Sequence, residues 1–146
     1  MSPSICLSPL DRSETLRYLG MTEAAADDAF LSRLDACEAK LLRHATPRYT
    51  YCILPLTRTE SVLYADTLLL EGNDIRQHLE GCDRAVLMAA TLGTSVDVLI
   101  DRTQKRDMTN ALLMDALANT AIEQVCDKAE PVSYTHLRAH ETSAHL

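Results

Sequence analysis

The chain has 146 residues, a length that fits one domain with a real hydrophobic core. Hydrophobic residues make up 47% and charged residues 24%, with four glycines and five prolines, which excludes disordered and fibrous classes. Fourteen basic against 21 acidic residues leave a net charge of −7 with no Lys/Arg cluster, which argues against nucleic acid and anionic membrane surfaces as partners.

The opening stretch "MSPSICLSPLDRSE" has neither a basic n-region nor an apolar run of signal-peptide or membrane-span length, so the expectation is a cytoplasmic protein with no membrane contact. Residues 1–10, with two prolines, read as a loose lead-in. In "DRSETLRYLG", Asp11 and Glu14 have capping-box spacing and Gly20 stops a short helix. The clearest helix is "DDAFLSRLDACEAKLLRHATP": Phe30, Leu31, Leu34, Cys37, Leu41 and Leu42 share one face, acids open it, and Arg43 and His44 close it. "RYTYCILPL", "SVLYA" and "TLLL" predict a small antiparallel ladder, with Pro55 at an edge position or a bulge.

"EGNDIRQHLEG" predicts a turn and a short helix capped by Asn73 or Asp74 and ended by Gly81. "RAVLMAATLG" is a continuous apolar run and predicts a strand covered on both faces. It leads into "TSVDVLIDRTQK", a helix with Thr94 or Ser95 as its cap. "DMTNALLMDALANTAIEQVCDKAE" follows, a long alanine-rich helix whose wide apolar arc suits a place between layers. The sum is an α+β fold: a small, mostly antiparallel sheet with helices packed across it.

The five cysteines, Cys6, Cys37, Cys52, Cys82 and Cys126, form no C-x-x-C pair and read as reduced thiols. Cys37, Cys52 and Cys126 are expected in the core, and Cys82, between Gly81 and Asp83, at the surface. His44 closes a helix and His78 has no partner near it in sequence, so neither is a catalytic candidate. Asp97 and Asp101 stand one turn apart, but Arg102, Lys105 and Arg106 alongside make that face a solvated one. No catalytic residue and no metal ligand is assigned.

The most site-like feature is "AATLGTS". A strand that delivers Thr91, Gly93 and Thr94 to a helix start leaves backbone N–H groups for an anion or carboxylate, and these three are the candidate cofactor-binding residues. An ordinary strand-to-helix turn is the simpler account of the same pattern. Neither a G-x-G-x-x-G nor a G-x-x-x-x-G-K-[ST] motif is present.

His136 and His140 have H-x-x-x-H spacing, which on a helix would suit a metal. However, "VSYTHLRAHET", Val132 to Thr142, resembles the translation of a transposase sequencing adaptor codon for codon. The expectation is that native sequence stops near Glu130 and that residues 131–146 are an adaptor-derived tail.

Residues 11–130 resemble a stand-alone activation domain of cobalamin-dependent methionine synthase. The likeness rests on "LRYLGM", on "LEGNDIRQHLEGCDRAVLMAATLGTSVD" and on "RDMTNALLMDALANTAIEQVCD", whose Ala111, Ala116, Leu117 and Ala118 match the family's alanine-leucine pattern. The resemblance implies an accessory module of a methyltransferase system that binds S-adenosylmethionine and closes over a cobalamin-carrying partner. There, an electron from a flavodoxin-like donor and the methyl of S-adenosylmethionine restore methylcobalamin. The family's proline-rich "R-P-A-P-G-Y" type segment, which follows the long helix, is absent, as is its aromatic-rich acidic motif near the front. An incomplete domain, inactive as a fragment, is therefore expected. The alternatives are a non-catalytic docking module for a corrinoid protein, or a small-ligand enzyme built on the "AATLGTS" turn.

Overall fold

The structure, a computed structural model, describes residues 5–7 and 9–143, with side chains as far as Thr135. It is an α+β fold with five helices and one four-stranded antiparallel sheet, ordered β3-β2-β1-β4. Two compact units divide the chain: residues 1–49 with 90–131, and residues 50–89 with 132–146.

The first unit is helical. Helix α1, Arg12–Tyr18, starts where the Asp11 carboxylate accepts the Glu14 N–H at 3.1 Å. It ends where Gly20, at φ +68°, lets the Gly20 and Met21 N–H groups reach the carbonyls of Arg17 and Leu16. That is a Schellman stop, as the capping signals predict. Helix α2, Asp28–His44, is capped by Asp27 and buries Leu34, Cys37 and Leu41, while Phe30, Leu31 and Leu42 are half-buried. It packs on α4, Thr94–Gln104, whose inward residues are Val96 and Leu99.

Helix α5 runs Met108–Ser143 with Pro131 inside it. Ala111, Leu113, Met114, Ala116, Leu117, Ala121, Val125 and Ala129 are all buried, which makes the wide apolar arc that its sequence predicts. Thr15 of α1 and Thr120 of α5 meet inside this unit at 2.9 Å, and each hydroxyl also lies within bonding distance of the carbonyl four residues before it, that of Asp11 and that of Ala116. Two hydroxyl protons serve three contacts, so one contact is unmade at any instant. The described part of the lead-in is tied down. The Leu10 N–H donates to Glu38, and the Pro9 and Cys6 carbonyls accept from Gln124 and Lys128.

The second unit carries most of the sheet. Strand β1, Arg48–Arg58, pairs with β2, Leu63–Ala65, from Leu56↔Ala65 to Arg58↔Leu63, and β2 pairs with β3, Leu68–Leu70. Pro55 is therefore in an interior strand, not at an edge. It is tolerated because the ladder with β2 stops one residue short of it, and the Pro55 carbonyl takes the N–H of Asp66 in the β2–β3 turn. Along β1, Tyr51 and Ile53 are half-buried on one side and Leu54 and Leu56 on the other, so the covered side changes midway.

Strand β4, Arg84–Thr91, is an edge strand, and its two faces differ. Val86 and Met88 are half-buried while Leu87 is 51% exposed, which corrects the expectation of cover on both faces. Helix α3, Asn73–His78, has Gly72 as its N-cap at φ +111° and no side-chain cap, which displaces Asn73 and Asp74 from that role. Glycine tolerates that φ at no steric cost, so the chain turns there.

Candidate functional site

The turn between β4 and α4 is built by backbone geometry. Gly93, not Thr94 or Ser95, is the N-cap of α4, at φ +89° and ψ 152° with no side-chain cap bond. The Gly93 N–H donates to the Thr91 hydroxyl at 3.0 Å, so the turn satisfies that donor itself. Thr46, which follows α2, closes the other side: its N–H donates to the Leu92 carbonyl at 2.7 Å. A Cβ on Gly93 would stand 2.1 Å from the Thr46 hydroxyl oxygen. Of the three sequence candidates, then, Thr91 and Gly93 are joined by a hydrogen bond, and Thr94 is the exposed first residue of α4.

A second place in the molecule went unmarked in the sequence. Within the second unit, Asn73, Arg76, Gln77 and Glu80 line a cleft of about 440 Å³ together with Arg58 and Leu63 from the sheet. The four residues from α3 and its exit follow i, i+3, i+4, i+7 spacing, which is one helical face. Ile75 and Leu79 lie off that face and are half-buried. Arg58 donates to the Leu79 carbonyl, and Arg76 donates to the carbonyls of Ser61 and Glu60.

The remaining polar groups are structural in their connections. Arg33 forks onto Asp107 at 2.8 and 3.0 Å and reaches Asn110 at 2.6 Å, which ties α2 to the start of α5. The Asn110 N–H holds the Asp107 carboxyl below its ordinary value, and Arg33 adds to this. Tyr18 donates to Glu123, and that acceptor, followed by partial burial, raises the phenol above its usual value.

Burial pushes the thiols of Cys37 and Cys126 up, the opposite of what a nucleophile needs. Cys82 is exposed as expected; Cys52 is exposed as well, against expectation, because it falls on the uncovered side of β1. Asp101 pairs with Lys105 at 2.9 Å on an exposed face, so the Asp97–Asp101 spacing does belong to a solvated surface. His44 is exposed at the end of α2, its Nδ1 2.9 Å from the Lys40 carbonyl, and His78 is exposed at the end of α3.

Among the described residues, no group of three His, Cys, Asp or Glu side chains could hold a metal. The backbone at His136 and His140 belongs to α5, but their side chains lie outside the described residues. No described helix is long and apolar enough to cross a membrane. The chain matches no protein-family model, and no curated protein matches it.

Proposed function

We propose that the chain is an accessory module of cobalamin-dependent methionine synthesis, one that supports reductive remethylation of cobalamin with S-adenosylmethionine. The supporting observation is where the quoted segments meet. "LRYLGM" supplies Tyr18, which bonds Glu123 of "RDMTNALLMDALANTAIEQVCD", so two stretches far apart in sequence join in one helical body. The third, "AATLGTSVD", enters the same unit as the β4–α4 turn.

The turn is a poor cradle for S-adenosylmethionine on its Gly93 side, because Thr46 already fills the space a Cβ would take. In this reading the chain contributes docking and positioning, and proximity supplies the rate. S-adenosylmethionine brings the methyl group, and the cobalamin belongs to a partner. An intracellular partner pool of corrinoid protein and flavodoxin-like donor follows, with the cytoplasm as the location.

A non-catalytic docking module for a corrinoid protein is the second reading, favoured by the exposed Leu87 on an edge strand. The test mixes the full-length protein with a cobalamin-loaded methionine synthase module and follows comigration with and without S-adenosylmethionine, beside a calorimetric titration of the full-length protein with S-adenosylmethionine alone. Saturable heat with comigration supports the activation role. Comigration without heat leaves the docking module, and neither signal from the folded full-length protein removes both readings.

A further inference from the structure

Helix α3 half-buries its apolar pair, Ile75 and Leu79, and leaves Asn73, Gln77 and Glu80 exposed, as a short helix over a sheet normally does. The polar side is the wall of an open cleft: Asn73, Arg76, Gln77 and Glu80 line it, opposite Arg58 and the buried Leu63. Two guanidinium groups thus face one cleft in a chain of net charge −7, and among the described residues neither is ion-paired.

Their orientation is fixed by backbone carbonyls: Arg58 spends one terminal nitrogen on Leu79, and Arg76 spends two on Ser61 and Glu60. A guanidinium has five donors, so both keep N–H groups to offer. We propose that this cleft binds a small organic phosphate monoester. Two guanidinium groups against the one carboxylate of Glu80 leave the cleft net positive, and at neutral pH a phosphate monoester carries nearly two charges with several acceptor oxygens for the remaining N–H groups. The cleft, at about 440 Å³, is within the size range of sites for whole small molecules, which is more room than a bare ion uses. Asn73 and Gln77 supply amides for the hydroxyls of the ligand. Glu80 accepts from a hydroxyl and repels a second phosphate.

The test is a heteronuclear NMR titration of the full chain at low ionic strength with glycerol phosphate, and with acetate as the carboxylate arm. Saturable shifts confined to the amides of residues 58–63 and 72–80 are expected with glycerol phosphate only. Arg76→Gln is expected to weaken binding by about tenfold or more, the worth of one charged hydrogen bond. Because that change also frees the Ser61 loop, Glu80→Gln is the companion variant. It leaves both arginine–carbonyl ties intact and is expected to tighten binding several-fold by removing a like charge. The proposal is overturned by a folded chain that shows no saturable shift up to about 10 mM ligand. Shifts centred elsewhere, affinity unchanged in both variants, or acetate binding as tightly as glycerol phosphate overturn it equally.

Discussion

Gly93 holds a backbone conformation, φ +89° with ψ 152°, that side-chain-bearing residues almost never adopt. It also lies where an added methyl would collide with Thr46. Both facts predict that Gly93→Ala costs on the order of 3 kcal/mol, the sum of backbone strain and the clash. The two causes separate in a cycle with Thr46→Ala. Removing the hydroxyl relieves the contact but not the φ, so the double variant recovers only part of the loss. Urea unfolding of the four proteins measures this, and a loss below about 1 kcal/mol for Gly93→Ala would mean the turn relaxes freely. The consequence for function is direct. A damaged activity in a Gly93 variant reports the fold first, so it cannot by itself identify a ligand contact. In the sequence, Gly93 beside Thr94 looked like a place for an anion; the geometry gives the glycine a sufficient steric reason to be there.

Strand β4 shows where sequence reasoning fails. "RAVLMAAT" has no polar alternation, and an unbroken apolar run reads as a strand sealed on both sides. The structure instead half-buries Val86 and Met88 and leaves Leu87 in the open, at the edge of the sheet. Leu87→Lys is therefore expected to change stability by no more than about 0.5 kcal/mol, as surface changes do, whereas two-sided cover would make a lysine there cost several times as much. Thermal or urea unfolding distinguishes these outcomes. The helices were far more legible. Asp11, Asp27 and Gly20 act as their residue types predict, because caps and stops are local and depend on a few neighbours. The short helix α3 was placed correctly but its orientation was hidden. Nothing in the sequence marks Asn73, Arg76, Gln77 and Glu80 as a set, and only the position of Arg58 and Leu63 on the sheet makes them the wall of a cleft. Which way a helix faces is a tertiary fact, and six residues carry too little periodicity to reveal it.

The buried apolar residues are shared unevenly between the two units. Leu16, Leu34, Leu41, Leu113, Leu117, Ala121, Val125 and Ala129 are among many in the helical unit, while Leu63 and Ala65 of β2 are the buried hydrophobic residues of the other unit among the described residues. Burying a leucine or valine side chain is worth roughly 1.5–3 kcal/mol against exposure, so the helical unit holds nearly all of this stabilisation. The β2–β3 hairpin has strands of three residues each, and α3 has six. Elements that short are marginal without a substantial packed face. Opening free energies should therefore be graded along the chain, with no single value for the whole. Native-state hydrogen exchange is expected to find the amides of β2, β3 and α3 opening at a free energy about 2 kcal/mol or more below those in the middle of α2 and α5. This opening should dominate exchange at low denaturant and respond to it only weakly, because it exposes little surface. Equal protection across both units would mean that the chain opens only as a whole. The grading also bears on the proposed phosphate site. A ligand held by Arg58 of β1 and Arg76 of α3, over Leu63 of β2, ties α3 to the sheet, so glycerol phosphate at saturating concentration should raise the protection of β2 and α3 selectively and leave α2 unchanged.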